Sequence, residues 1–180
     1  MGPPTRIMVY GVTGAGKSTL ARVIAHRTGL PGVFIDDLTW QPGWVPVPPD
    51  EQRRIIGEVC GRDRWVIDHG YGAWIDLPLA RVDLIVGLDY PRLLSLARLV
   101  RRCLTNLVTR RTLCNGNTES LGNLLGRDSI IWWHFTSFRR KRRRMRAWLV
   151  DPAAPAVVLF GRPRDATAWV ESLAPIDALR

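Results

Sequence analysis

Cysteine is scarce in this chain. Cys60, Cys103 and Cys114 are the only three, they are scattered, and no CxxC pair exists. That excludes a cysteine zinc site and a disulfide framework, and it predicts free thiols in a reducing compartment. No apolar run reaches the roughly 18 residues needed to span a bilayer. No apolar leader core precedes Gly11. The expectation is therefore a cytoplasmic protein with no membrane partner. The chain carries no internal repeat. It also lacks the DxxG switch and the NKxD base-reading motif that a GTPase would need. Lysine is nearly missing, with Lys17 and Lys141 the only two among 26 basic residues.

The 180 residues suit one domain with a full hydrophobic core. Apolar residues make up 46% and charged residues 23%, as in an ordinary soluble globular protein. The formal charge of +10 is unevenly spread. Arg139, Arg140, Lys141, Arg142, Arg143, Arg144 and Arg146 hold seven positive charges. Without them 19 basic residues face 16 acidic ones, a net of +3. One intensely basic segment thus sits in a nearly balanced chain.

Short apolar runs alternate with helical patterns. Strands are expected over residues 6–10, 33–35, 65–67, 82–88 and 157–160. Helices are expected over 18–27, 51–60, from Pro91 through Leu104, over 128–149 and from Asp165. Near-continuous apolar strands separated by helices predict a parallel sheet covered on both faces. The expected fold is a three-layer α/β P-loop domain over 1–180, with five parallel strands and a helical lid. Residues 38–64 would form an acceptor-binding segment and 110–128 the lid. Ligands of such folds bind beyond the carboxyl ends of the strands.

Gly11-Val-Thr-Gly14-Ala-Gly16-Lys17-Ser18 completes the GxxxxGK[ST] pattern, with a strand before it and a helix after it. The glycines let backbone amides wrap a phosphate. Gly11, Thr13, Gly14, Ala15, Gly16, Lys17, Ser18 and Thr19 form the expected ATP-binding set. Lys17 would reach the β- and γ-phosphates, Ser18 would ligate Mg²⁺, and Thr19 would stand near the α-phosphate. Motors, switches, transporters and small-molecule kinases share this motif. The short chain and the missing GTPase motifs favour a kinase with a short lid.

Asp36 and Asp37 close the second strand. A carboxylate there would orient or deprotonate an acceptor hydroxyl, and Asp36 is the favoured one. Asp68 closes the third strand and resembles a Walker B position that holds Mg²⁺ with Ser18. Asp89 reads as a helix cap. Among the histidines, His26 and His134 read as structural, while His69 stands beside Asp68 near the acceptor side. Phosphoryl transfer also needs cations beyond the P-loop lysine. Arg102 before the Gly/Asn-rich loop, and Arg139 and Arg143 after it, are the catalytic candidates. Trp40 and Trp44 would wall an acceptor pocket or plug a small core.

With these residues assembled, the chain resembles the adenylate-kinase-like P-loop kinases. More narrowly it is similar to the bacterial group labelled DNA topology modulation proteins or uncharacterised adenylate kinases. The resemblance runs from Gly11–Thr19 through Ile35-Asp-Asp-Leu38, Trp40-Gln-Pro-Gly-Trp44 and Trp65-Val-Ile-Asp68. It continues through Leu88-Asp-Tyr-Pro-Arg92 and Asn115-Gly-Asn117 with Glu119. It implies that Asp36 is the family's strand-end aspartate and that the lid-flanking arginines handle phosphate. The chain departs at His69, where the family has glycine, and in a shorter Trp/Pro-rich segment after the second strand. AMP is therefore not assumed as acceptor.

The expected function is transfer of the γ-phosphate of ATP, with Mg²⁺, to a small nucleotide- or nucleoside-like acceptor. The rival reading is a nucleotide-gated protein that binds nucleic acid through Arg139–Arg146, or an ATPase within a larger assembly.

Overall fold

The computed structural model describes residues 2–120, 126 and 129–173. Five strands form one parallel sheet: β1 (Arg6–Gly11), β2 (Gly32–Phe34), β5 (Trp65–His69), β6 (Leu84–Leu88) and β7 (Ala156–Phe160). Their order across the sheet is β2-β5-β1-β6-β7. β1 is central, pairing with β5 on one side and β6 on the other.

Alternation along these strands explains why they read as unbroken apolar runs. Ile7 and Val9 face one layer with Val66, Val86 and Ile24. Met8 and Tyr10 face the other with Ile67, Ile85, Ile56 and Trp65. Successive strand side chains point to opposite faces, so a strand covered on both faces must be apolar at every position. The first face is covered by α1 (Lys17–Thr28) and α7 (Pro163–Ser172). The second is covered by α3 (Pro49–Gly61), the single turn α4 (Asp76–Leu79) and Met145 of α6 (Ile130–Val150). α5 (Arg92–Thr109) packs Leu99 and Cys103 against Ile130 and Ile131 of α6.

Several expected boundaries move for identifiable reasons. Pro49 and Pro163 open α3 and α7 two residues earlier than the periodicity suggests, because proline is suited to a first helical turn. α6 starts after Ser129, whose hydroxyl accepts the Trp132 amide at 3.1 Å. The second strand ends at Phe34, and Asp36 and Asp37 lie in the first turn of a short helix, α2 (Ile35–Thr39). The flap after it is a two-stranded hairpin, β3 (Trp40–Gln41) and β4 (Val45–Pro46).

One reading is corrected. Asp89 does not cap α5; it pairs with Arg142 at 2.8 Å and Arg146 at 2.9 Å, pinning α6 to the end of β6. The buried face of α5 is Ser95, Leu99, Cys103 and Asn106, whereas Leu93 and Leu104 stand exposed. Ser95 is drawn inward because its hydroxyl meets His134 Nε2 at 2.9 Å. Of the expected lid, a 3-10 turn (Cys114–Gly116) and the Thr112–Thr118 bridge are described. Residues 121–125, 127 and 128 lie outside the described residues.

The entry of β1 is fixed by one carboxylate. Asp83 Oδ2 accepts the Thr5 amide and hydroxyl at 3.0 and 3.1 Å and the Arg6 amide at 2.9 Å; Oδ1 accepts Arg6 Nη2 at 2.6 Å. Desolvation opposes ionisation, but these donors outweigh it and pull the carboxyl down to about 2. The unfolded group titrates at about 3.9. The stabilisation is thus present above pH 4 and is lost as pH falls toward 2. Asp83→Ala is expected to cost about 1–2 kcal/mol at pH 7. In urea melts the gap to the parent protein should close between about pH 4 and pH 2; a gap constant across that window overturns the assignment.

Candidate functional site

The site forms where β1, β2 and β5 end. Gly14 and Gly16 adopt φ of 81° and 96°, the left-handed region open to glycine. A Cβ on Gly14 would collide with the Ser95 carbonyl oxygen and meet Leu99 Cβ at 2.9 Å. α5 therefore lies directly on the loop, and only glycine fits between them. Gly11 is close-packed too, since its Cβ would lie 3.2 Å from Leu88. Ala15 is buried beneath the loop. Thr13 is half-buried and Thr19 exposed.

Gly16 caps α1 with no side-chain hydrogen bond. The first amides of that helix are thus left without a side-chain acceptor, and the helix dipole favours an anion there. Lys17 Nζ folds back to donate to the Val12 carbonyl at 3.2 Å. Its pKa is lowered chiefly by burial; Asp68 and Asp36 oppose that shift and Arg102 adds to it. The loop thus fits a polyphosphate.

Asp68 is buried at the end of β5. Its Oδ2 accepts the Ser18 hydroxyl in a short hydrogen bond, and its Oδ1 accepts the Ile35 amide at 2.8 Å. Burial raises its pKa, with the two donors and Lys17 working against that shift. Ser18 and Asp68, the expected Mg²⁺ residues, are thus in contact. Among the described residues no group of three His, Cys, Asp or Glu side chains could hold a metal alone. The pair fits Mg²⁺, which is bound by few protein oxygens together with water and substrate phosphates.

Asp36 lies close enough to Lys17 to favour its charged form. Tyr71 donates its hydroxyl to Asp36 Oδ1 at 2.8 Å, and Trp40 Nε1 donates to the Tyr71 oxygen at 3.1 Å. Burial, with Asp36 beside it, raises the Tyr71 phenol, so it remains a donor. The exposed Asp36 carboxylate is thereby aimed, with its other oxygen free of this bond.

Helical phase decides the arginines. At about 100° per residue a basic run must spread around its helix. Arg142 and Arg146 turn to Asp89. Lys141 and Arg144 turn to the site: Lys141 reaches Gly70, and Arg144 is close enough to the Tyr10 phenol to oppose the rise in pKa that burial causes. Arg140 places its guanidinium 5.6 Å from the Trp133 ring. Arg139 and Arg143 occupy exposed positions, and no contact among the described residues ties them to the P-loop. Arg102 of α5 is close enough to depress the Lys17 pKa.

His69, buried at the end of β5, has neither ring nitrogen hydrogen-bonded. It packs edge-on to Trp74 at 4.9 Å, and burial lowers its pKa to about 3, with Lys141, Lys17 and Arg144 adding to the shift. The ring is neutral, which suits a site already rich in cations.

Lys141 and Tyr71 were not singled out from sequence. For Lys141 a signal existed. It stands three residues after Phe138 and four before Met145, on the stripe buried in α6. Tyr71 follows β5 by two residues and carries no local motif.

The Asn-Gly-Asn segment clasps the Trp hairpin. Asn115 Nδ2 donates to the Asp37 and Trp40 carbonyls at 2.9 and 2.5 Å. Asn117 Nδ2 donates to the Gln41 carbonyl at 3.0 Å, and its Oδ1 accepts the Trp44 amide at 2.8 Å. Trp44 Nε1 donates to the Thr118 carbonyl at 2.9 Å. Trp44 has φ of 58°, a left-handed conformation costly for a side chain of its size. Trp40 packs edge-on against it, with ring centroids 5.6 Å apart.

No protein-family model and no curated protein matches the chain. Solved structures do. A gluconokinase from Sinorhizobium meliloti 1021 is 19% identical, with 98% of this chain and 95% of that one covered at a TM-score of 0.53. A shikimate kinase from Bacteroides thetaiotaomicron is 17% identical over 94% and 96%, with a TM-score of 0.56. A shikimate kinase from Acinetobacter baumannii, in complex with shikimate, is 16% identical over 93% and 89%, with a TM-score of 0.57. At these identities the likeness gives the fold: a five-stranded parallel P-loop α/β sheet with helices on both faces.

The clasp makes a local prediction. Asn117→Ala removes the acceptor of the Trp44 amide while leaving the distant core alone. The Trp44 amide should exchange with solvent at least about tenfold faster, matching the loss of one buried hydrogen bond. Amides of β1 should be unchanged. Unchanged Trp44 exchange would show that the clasp does not hold the hairpin.

Proposed function

We propose that this protein is an ATP-dependent phosphotransferase acting on the hydroxyl or phosphate of a small acceptor. The observation that carries this reading is the closeness of two devices at one end of the sheet, where both Asp68 and Asp36 act on Lys17. One is a complete, uncapped P-loop whose Ser18 is tied to Asp68. The other is an exposed carboxylate, Asp36, aimed by Tyr71. The first suits a nucleoside triphosphate and the second an acceptor.

Gly11, Thr13, Gly14, Ala15 and Gly16 would wrap the phosphates with their amides, and Thr19 would add a hydroxyl. Lys17 would leave the Val12 carbonyl and bind the β- and γ-phosphate oxygens. Mg²⁺ on Ser18 and Asp68 would supply neutralisation of phosphate charge. An acceptor hydroxyl would give its proton to Asp36 as its oxygen bonds to the γ-phosphorus and the bond to ADP breaks. Arg102 would offset charge on the transferred group. Arg139 and Arg143 would contribute only if α6 rotates or the lid carries the phosphate to them.

Residues 1–180 form one domain in this reading, with 38–64 as the acceptor segment and 110–128 as the lid. The hairpin at 40–46 would then face the acceptor, and a flat nucleotide or nucleoside ring suits its two tryptophans. This agrees with the resemblance to the adenylate-kinase-like and topology-modulation group. The gluconokinase and shikimate kinases that share the fold add small hydroxy acids to the acceptors worth testing. Free cysteines and the absence, among the described residues, of a helix able to cross a membrane are compatible with a cytoplasmic setting.

The test is product formation from ATP and Mg²⁺ over a panel of nucleosides, nucleotides and hydroxy acids, followed by phosphorus NMR. At least one acceptor should yield a phosphorylated product. Lys17→Met should lower turnover by about 10²–10³-fold or more with unfolding behaviour intact. ADP formation that stays slow and indifferent to every acceptor would overturn the reading.

A further inference from the structure

Lys141 has no role in the reading above, yet the fold brings it and Lys17, the chain's only lysines, to one point. A Cβ built on Gly70 would lie 3.3 Å from Lys141 Nζ, 3.3 Å from Lys17 Cε and 3.5 Å from Lys17 Nζ. The two ammonium groups thus approach from α6 and from the P-loop, with the bare backbone of Gly70 between them. Lys141 is only 4% exposed. Among the described residues it forms no salt bridge and no hydrogen bond; its one ring contact is Trp133, at 5.8 Å.

The surroundings make the placement costly. Lys17 faces Lys141 from α1, His69 from β5, and Arg140, Arg144 and His134 from its own helix. Asp36 of α2 is the one acidic group that acts on it. Burying like charges together destabilises a fold unless an opposite charge arrives. The chain supplies six arginines in this run and one lysine, and the lysine takes the buried position. Arginine cannot shed its proton, whereas lysine can.

We propose that Lys141 and Lys17 form a two-ammonium cradle across Gly70 that binds a phosphate-type oxyanion, with Lys141 contacting it directly. The inference rests on the phosphotransfer reading of the same site and adds a ligand contact from α6. The oxyanion is either the group in transfer or an anionic group of the acceptor, and both present the same chemistry to the cradle. Burial, followed by Lys17 and Arg140, lowers the Lys141 pKa to about 7 in the empty site. The group is neutral above that pH, and an arriving anion favours its charged form. Binding above neutrality therefore takes a proton from solvent onto Lys141 Nζ.

A chain with two lysines makes this measurable. Lysine labelled with ¹³C at Cε gives two side-chain signals, and Lys141→Met assigns them by deleting one. Tripolyphosphate serves as the probe, followed by calorimetry in buffers of different ionisation enthalpy. The Lys141 signal should titrate near neutrality in the free protein. Saturating probe should move that midpoint up by at least one pH unit. Binding at pH 8 should take up about 0.4 proton or more, as a rise of one unit from 7 requires. Lys141→Met should weaken the probe about tenfold or more, and Lys141→Arg should restore binding without proton uptake. Gly70→Ala, which pushes both side chains aside, should weaken binding without changing either charge.

Wild-type protein that fails to bind the probe, a Lys141 signal blind to it, or Lys141→Met binding as tightly as the parent overturns the cradle. Transfer assays separate this from the broader reading. Active enzyme indifferent to Lys141→Met leaves phosphotransfer standing and removes the cradle. Lys141-dependent probe binding without transfer to any acceptor does the reverse. Loss in kcat marks the transferred group as the occupant, and loss in acceptor KM marks the acceptor.

Discussion

The Asp68 carboxylate joins three parts of the chain that would otherwise be free to move apart. One oxygen takes the hydroxyl of Ser18 at the start of α1, and the other takes the amide of Ile35 at the start of α2. The P-loop and the segment bearing Asp36 are thereby indexed to the end of β5. A carboxylate this buried gains from each donor it meets, because unmet acceptors are costly in a dry site. The spacing between the phosphate loop and the Asp36 carboxylate is thus fixed before any ligand arrives. Positioning of this kind is what phosphoryl transfer chiefly asks of a protein.

A second set of ties holds the hairpin at 40–46. The hairpin at 40–46 is too short to hold itself, since two residues per strand bury little. Its turn also contains the unfavourable Trp44 backbone. Asn115 and Asn117 make up the deficit by supplying donors and an acceptor to three of its backbone groups and a donor to the Asp37 carbonyl of α2. These asparagines come from the segment after α5, the helix that also presses on Gly14. The hairpin, the segment 114–118 and the phosphate loop therefore share one mechanical frame, and movement of that segment would carry the hairpin with it.

Much of this was legible in the sequence, for a physical reason. A parallel sheet buried on both faces leaves unbroken apolar runs, and the P-loop must keep its glycines because a Cβ at Gly14 has nowhere to go. Five strands, their helices and the loop could be read from those constraints alone. Asp68 stands near its strand end as the pattern suggested, whereas Asp36, expected to close a strand, lies in the first turn of α2. What stayed hidden depended on contacts between distant segments. Asp89 reads locally as a cap, and only the approach of α6 reveals its two arginines. Ser95 reads as a surface residue until His134 arrives. Asn115 and Asn117 look like loop residues, since their partners lie more than seventy positions away.

The basic run shows where residue identity outweighs total charge. Read as a sum, seven cations in eight positions suggest a polyanion gripped by one surface. Wound into a helix, they separate into different tasks. Two neutralise Asp89, two stand in solvent, Arg140 lies by the Trp133 ring, and Lys141 and Arg144 approach the site. The innermost position is the one with a severe desolvation cost, and it alone is lysine. A guanidinium placed there would remain charged in the empty site, opposed by Lys17 with only Asp36 in partial compensation. An ammonium whose pKa falls toward neutrality sheds much of that cost by releasing its proton, and regains its charge when an anion makes it favourable. The placement of the one lysine within the run is therefore better explained by burial beside another cation than by affinity for an extended polyanion.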